Sequence, residues 1–134
     1  MQDMNRLKEI CFDKKILYVE DEAHLCEANK EALELFCGNV FIATNGEEGL
    51  DIFKENQDIN LVLTDITMPK MTGMEMASKI KELNPNVKII ARTSHSEQYL
   101  RDEFPEHDYN ELLDKVLNKP FDFMDLIEII EDYI

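Results

Sequence analysis

Leu61-Val62-Leu63-Thr64-Asp65-Ile66-Thr67-Met68-Pro69-Lys70-Met71-Thr72-Gly73 sits near the middle of the chain and changes character three times. Four apolar or β-favouring residues run into a carboxylate, the mark of a buried strand that ends at a loop. A proline follows four places on. Thr72-Gly73-Met74-Glu75 then has the spacing of a capping box that opens a helix. Asp65 is thus expected at the mouth of a loop, just past the carboxyl end of a strand. Taken alone, an aspartate there is a turn former.

The neighbouring stretches repeat the pattern. Lys15-Ile16-Leu17-Tyr18-Val19 is a β-rich run that ends at Glu20-Asp21-Glu22. From Ala23 to Phe36, Leu25, Ala28, Ala32, Leu35 and Phe36 recur at helical spacing, and Cys37-Gly38 stops that helix. Val40 to Ala43 is a second strand. Asn45-Gly46-Glu47-Glu48 offers an N-cap and an acidic first turn to a helix through about Glu55. After Gly73, Met76, Ala77, Ile80 and Leu83 mark a helix face ended by Asn84-Pro85. Val87 to Ala91 is a fourth strand, terminating in Arg92-Thr93-Ser94. Ser96 to Asp114 starts helical, breaks near Pro105 and turns polar and acidic. Val116-Leu117 is a short fifth strand before Lys119-Pro120-Phe121. Asp122 caps a last helix whose apolar face carries Phe123, Leu126, Ile127, Ile130 and Tyr133. Residues 1–13 read as a short helical or loose leader, and residues 14–134 as one domain.

Five strands alternating with helices predict an α/β fold, a parallel sheet with helices on both faces and right-handed crossovers. Ligands of such sheets bind beyond the carboxyl ends of the strands. Glu20-Asp21, Asp65, Thr93 and Lys119 all fall there, delivered by four separate strands.

Composition narrows the chemistry. The 134 residues carry a formal net charge of −15, which argues against a nucleic-acid-binding face. No apolar run approaches the roughly 20 residues of a membrane-spanning helix, and no signal-peptide pattern opens the chain; a cytoplasmic location is expected. Cys11, Cys26 and Cys37 fit no zinc spacing, and Cys26 and Cys37 read as reduced apolar fillers at a helix. Glu20, Asp21 and Asp65 would crowd three carboxylates together, unfavourable unless a cation or proton relieves them. With oxygen donors alone, Mg²⁺ is the expected ion. A carboxylate can attack phosphorus to give an acyl phosphate, with Lys119 as a second cation and the Thr93 hydroxyl as a donor.

From Lys14 to Ile134 the chain resembles a response-regulator receiver domain of two-component signalling. The resemblance rests on Glu20-Asp21, on Asp65 through Met68-Pro69 to Gly73, on Thr93 and on Lys119-Pro120-Phe121. It implies a flavodoxin-like, doubly wound five-stranded parallel sheet in the order 2-1-3-4-5. It implies that Asp65 accepts a phosphoryl group from a histidine kinase or phosphotransfer protein and that the change switches binding of a downstream protein. Glu20, Asp21, Asp65 and the Thr67 main-chain carbonyl would be the Mg²⁺ site, with Glu20 acting through water. Thr93 and Lys119 would contact the phosphoryl group, Lys119-Pro120 would be a cis peptide, and Pro69 and Gly73 would shape the loop. Self-phosphorylation and slow self-dephosphorylation would be its only catalysis.

Departures accompany the matches. Glu20 stands where the family usually has aspartate, and Val116 where it commonly has Tyr or Phe. Leu112-Leu113 replaces a small Gly-Ala pair, and the stretch between Thr93 and Lys119 is longer than usual. His95 is a residue that either borders the site or lies on the surface; His24 and His107 read as surface residues. Met68, Met71, Met74 and Met76 read as packing and loop contacts. Two rival functions remain: a degenerate receiver acting as a constitutive binding module, and a Mg²⁺-dependent aspartyl-phosphate phosphatase. Phosphatases of that type often carry an aspartate two places after the nucleophile, where this chain has Thr67.

Overall fold

The computed structural model describes residues 8, 9, 11–68, 70–105, 109–118 and 123–133. Its elements are β1 (Lys15–Val19), α1 (Ala23–Glu34), β2 (Asn39–Ala43), α2 (Gly46–Glu55), β3 (Leu61–Asp65), α3 (Gly73–Leu83), β4 (Lys88–Thr93), α4 (Glu97–Glu103), α5 (Tyr109–Leu112), β5 (Lys115–Asn118) and α6 (Phe123–Tyr133). The strands form one parallel sheet in the order β2-β1-β3-β4-β5. The expected α/β architecture and strand order are both present.

Strand alternation splits the core into two layers. Leu17, Val19, Val62, Ile89 and Ala91 face Leu50 and Phe53 of α2 and Met76, Ala77 and Ile80 of α3. Ile16, Tyr18, Leu61, Leu63 and Ile90 point the other way, onto Cys26 and Leu33 of α1 and Leu126, Ile127 and Ile130 of α6. Met68, Met74 and Met76 are core fillers, as their sequence context suggests. Local chemistry sets the helix starts. Asn45 Oδ1 accepts from the Glu48 amide at 2.8 Å, and Thr72 Oγ1 from the Glu75 amide at 3.1 Å.

Several local expectations are corrected. Of the expected α1 stripe Phe36 is buried and Ala32 half-buried, but Leu25, Ala28 and Leu35 are exposed, and Cys26 and Leu33 are buried in their place. Two stripes of similar apolarity share this helix, and docking on β1 and β2 selects the one with the cysteine. Cys37 is not a reduced filler; it is disulfide-bonded to Cys11, while Cys26 stays free and buried. The bridge ties the leader to the turn after α1, where Gly38 runs so close to the Phe12 carbonyl that a Cβ would collide with it. The stretch from Ser96 to Asp114 holds a second helical turn, α5, beyond the break at Pro105. It is anchored by Leu112 and Leu113 against the first core layer. The readings placed on Pro69, His107, Lys119, Pro120, Phe121 and Asp122 lie outside the described residues.

Candidate phosphoacceptor site

β1 ends at Val19, so Glu20 and Asp21 begin the connection to α1; β3 ends on Asp65 itself and β4 on Thr93. Asp65 and Thr93 are therefore the last residues of their strands rather than residues just beyond them. The ladder extends that far because Asp65 pairs in register with Arg92, and Thr93 with Asn118, the last residue of β5. Lys119 is the next residue in sequence and is not described.

Carboxylate oxygens of Glu20, Asp21 and Asp65 lie within 4.8 Å of one another. Glu20 and Asp65 are buried and Asp21 is exposed. The three line a polar cleft of about 220 Å³ together with Thr67, Thr93 and His95. All of the described residues expected at the site meet here, and His95 proves to border it. Thr93 Oγ1 accepts from the His95 amide at 3.0 Å, and the His95 ring stacks on Tyr99 with centroids 3.9 Å apart. Ser96 caps α4 by accepting from the Tyr99 amide, which fixes the loop after Thr93 against that helix.

The loop after Asp65 is held by a close approach. The Gly73 amide donates to the Ile66 carbonyl at 2.8 Å, and a Cβ on Gly73 would strike the Asp65 carbonyl. No glycine has positive φ; the left-handed residue of this loop is Lys70, at φ 68°. Gly73 thus shapes the loop, as expected, through its lack of volume rather than through backbone freedom.

Burial, and next the Asp65 carboxylate beside it, push the Glu20 carboxyl up to about 7, against the opposing pull of Arg92 and the Glu22 amide. Arg92 is the functional group that sequence reasoning missed. Arg92 is buried on the β4 face shared with Tyr18, Glu20 and Asp65. Its Nη2 lies 3.1 Å from Glu20 Oε2 and 3.3 Å from Asp65 Oδ1 and donates to the Val19 carbonyl at 3.1 Å. Nη1 donates to the Tyr18 hydroxyl, and the guanidinium carbon sits 4.5 Å over the Tyr18 ring. The one signal in the sequence was its spacing: Arg92 falls two places after Ile90, hence on the same sheet face, but at a strand end a charge reads as solvated.

Three oxygen-donor side chains and the exposed Thr67 make a set suited to a hard divalent ion, with no nitrogen or sulfur ligand in the cluster. A doubly wound sheet with such a cluster at its carboxyl edge is the arrangement expected of a signalling receiver. A family model for the response regulator receiver domain matches residues 16–131. The chain belongs to that family: it is the receiver domain of a two-component response regulator. It is 35% identical over 118 residues to the response regulator receiver protein CpdR of Brucella abortus, covering 88% of this chain and 94% of that one. It is 33% identical over 115 residues to the transcriptional regulatory protein CpxR of Escherichia coli, covering 84% of this chain and 46% of CpxR. The chain thus spans about half the length of the CpxR relatives it matches. Among solved structures, the response regulator TrrA of Thermotoga maritima superposes with a TM-score of 0.75 at 31% identity, over 90% of this chain and 99% of that one.

Proposed function

We propose that Asp65 is the phosphoacceptor of this receiver, taking a phosphoryl group from a phosphohistidine on a sensor histidine kinase or phosphotransfer protein and thereby switching binding to a downstream protein. The observation that carries this reading is the convergence of Glu20, Asp21 and Asp65 in one cleft, closed by Thr93 from the adjacent strand. An Asp65 carboxylate oxygen attacks phosphorus, the P–N bond breaks, and its electron pair returns to the imidazole, leaving an acyl phosphate on Asp65. Asp21 and Asp65 would hold Mg²⁺ directly, Glu20 through water and Thr67 through its carbonyl; the ion supplies charge neutralisation for the phosphoryl oxygens. The likeness to TrrA, whose structure is a complex with Mg²⁺ and beryllofluoride, supports that assignment.

Thr93 brings a hydroxyl to the phosphoryl oxygens, and Lys119 would add a cation. The new charge, about −1.5 to −2, then acts on the loop after Thr93 through its contact with His95. The molecule serves as a substrate of phosphotransfer, with self-dephosphorylation as its only turnover. Its setting is cytoplasmic, with a protein partner rather than a nucleic acid or a membrane. In the described residues no helix is long and apolar enough to cross a membrane. Beryllofluoride with Mg²⁺ should shift the amide resonances of Asp65, Thr93 and His95 saturably in the native protein and leave Asp65→Ala unmoved. An unmoved native spectrum would refute the phosphoacceptor reading.

A further inference from the structure

We infer that Arg92 is a resident counter-ion of the carboxylate cluster, a positioning residue that holds Glu20 and Asp65 in the metal-free protein and lowers the affinity of the cluster for Mg²⁺. The inference rests on the reading of this cluster as the Mg²⁺ site.

Three independent features pin the guanidinium. Its Nη2 reaches Glu20, Asp65 and the Val19 carbonyl at 3.1 to 3.3 Å. Its other terminal nitrogen bonds the Tyr18 hydroxyl, which is itself bonded by Asn29 Nδ2 at 2.7 Å. Strand register places Arg92 directly opposite Asp65. The Nε is buried with no hydrogen-bond partner among the described residues, so the group is held by its charge and its two forks rather than by full satisfaction. An arginine keeps its charge at any relevant pH. Removing it from between two buried carboxylates would leave those charges unpaired, which the interior does not tolerate.

Mg²⁺ would enter a cluster that already contains one positive charge in contact with two of its three carboxylates. Repulsion between a fixed monovalent and an incoming divalent cation over a few ångströms in a partly buried site is worth more than a tenfold change in binding constant. A guanidinium that only knits the strand ends together would leave Mg²⁺ affinity unaltered and would stabilise the protein equally with and without the ion.

The test is a Mg²⁺ titration, followed by amide resonances of residues 20, 21 and 67 and by calorimetry, on the native chain, Arg92→Met and Arg92→Lys. Arg92→Met is expected to bind Mg²⁺ at least about tenfold more tightly. It should also melt lower in chelator and recover with Mg²⁺. Arg92→Lys, which keeps the charge, should stay near the native affinity. Should Arg92→Met fail to fold without metal, Arg92→Gln, a smaller uncharged donor, reads the same charge effect. Equal affinities across the series overturn the inference while leaving the Mg²⁺ site standing. Absence of binding in every variant overturns both the inference and the site assignment. Binding by the uncharged variants alone supports the inference at its strongest.

Discussion

Glu20 and Gly73 each do something that their residue type does not announce. A Glu20 carboxyl raised from 4.5 to about 7 takes up its proton more readily folded than unfolded. Between those two values the native state therefore binds more protons than the unfolded chain, so this contribution is complete below the unfolded value and is lost as pH rises through about 7. In metal-free buffer the native protein should lose stability over that window by on the order of 3 kcal/mol relative to Glu20→Gln. Parallel urea titrations across the window measure the difference; parallel curves for the two proteins would contradict it. Gly73→Ala should cost about 2 kcal/mol, because the added methyl meets backbone at the Asp65 carbonyl. Lys70→Gly should be neutral or stabilising by up to about 1 kcal/mol, since it relieves the left-handed backbone there. Urea midpoints rank the two. Asp65 and Glu20 were legible as site residues because carboxylates after β runs are conspicuous. The importance of Arg92 was not, because a charge at a strand end reads as solvated until the register of three strands is known.

At the scale of elements, Asp114 fastens the edge of the sheet. Its Oδ2 accepts from the Ile89 amide at 2.7 Å and from Lys81 Nζ at 3.2 Å, and its amide donates to the Ile89 carbonyl at 2.8 Å. One residue thus joins α3, β4 and the entry to β5. Asp114→Ala takes the acceptor from the Ile89 amide and the carboxylate from Lys81 Nζ, which keeps the Val87 carbonyl at 2.7 Å, and should cost about 1–3 kcal/mol. It should also speed hydrogen exchange in Lys115 to Asn118 more than in β1 or β3. Uniform acceleration across all strands would instead indicate loss of global stability alone. Period and capping signals made β1, β3, α2 and α3 readable to within a residue or two. They placed α1 but not its buried stripe, since its two stripes differ little in apolarity, and they missed α5, whose single turn is too short to show a period. The disulfide was equally hidden, since Cys11 and Cys37 meet only once the leader has packed on the turn after α1.

Across the whole molecule, two core layers hold the sheet in register, and the site is the consequence of that register bringing the carboxyl ends of β1, β3 and β4 to one cleft. Val116, on β5 opposite Ala91, packs half-buried against the first layer. Among the described residues, Tyr99 on α4 brings a ring beside the cleft by stacking on His95. Any response to a phosphoryl group is therefore expected to run from Thr93 through His95 into α4. Cys11, near the end of the leader, is tied to the same body through its bridge. Thiol titration of the unfolded chain should find one free cysteine, Cys26, before reduction and all three after it. Three reactive thiols before reduction would remove the bridge from the account. Whether Asp65 carries the phosphoryl group is read from intact mass after incubation with a small acyl-phosphate donor and Mg²⁺. The native chain should gain one phosphoryl group, lost on mild alkaline hydrolysis and absent both in chelator and in Asp65→Asn. An unmodified native chain, or equal modification of Asp65→Asn, would contradict the phosphoacceptor role of Asp65.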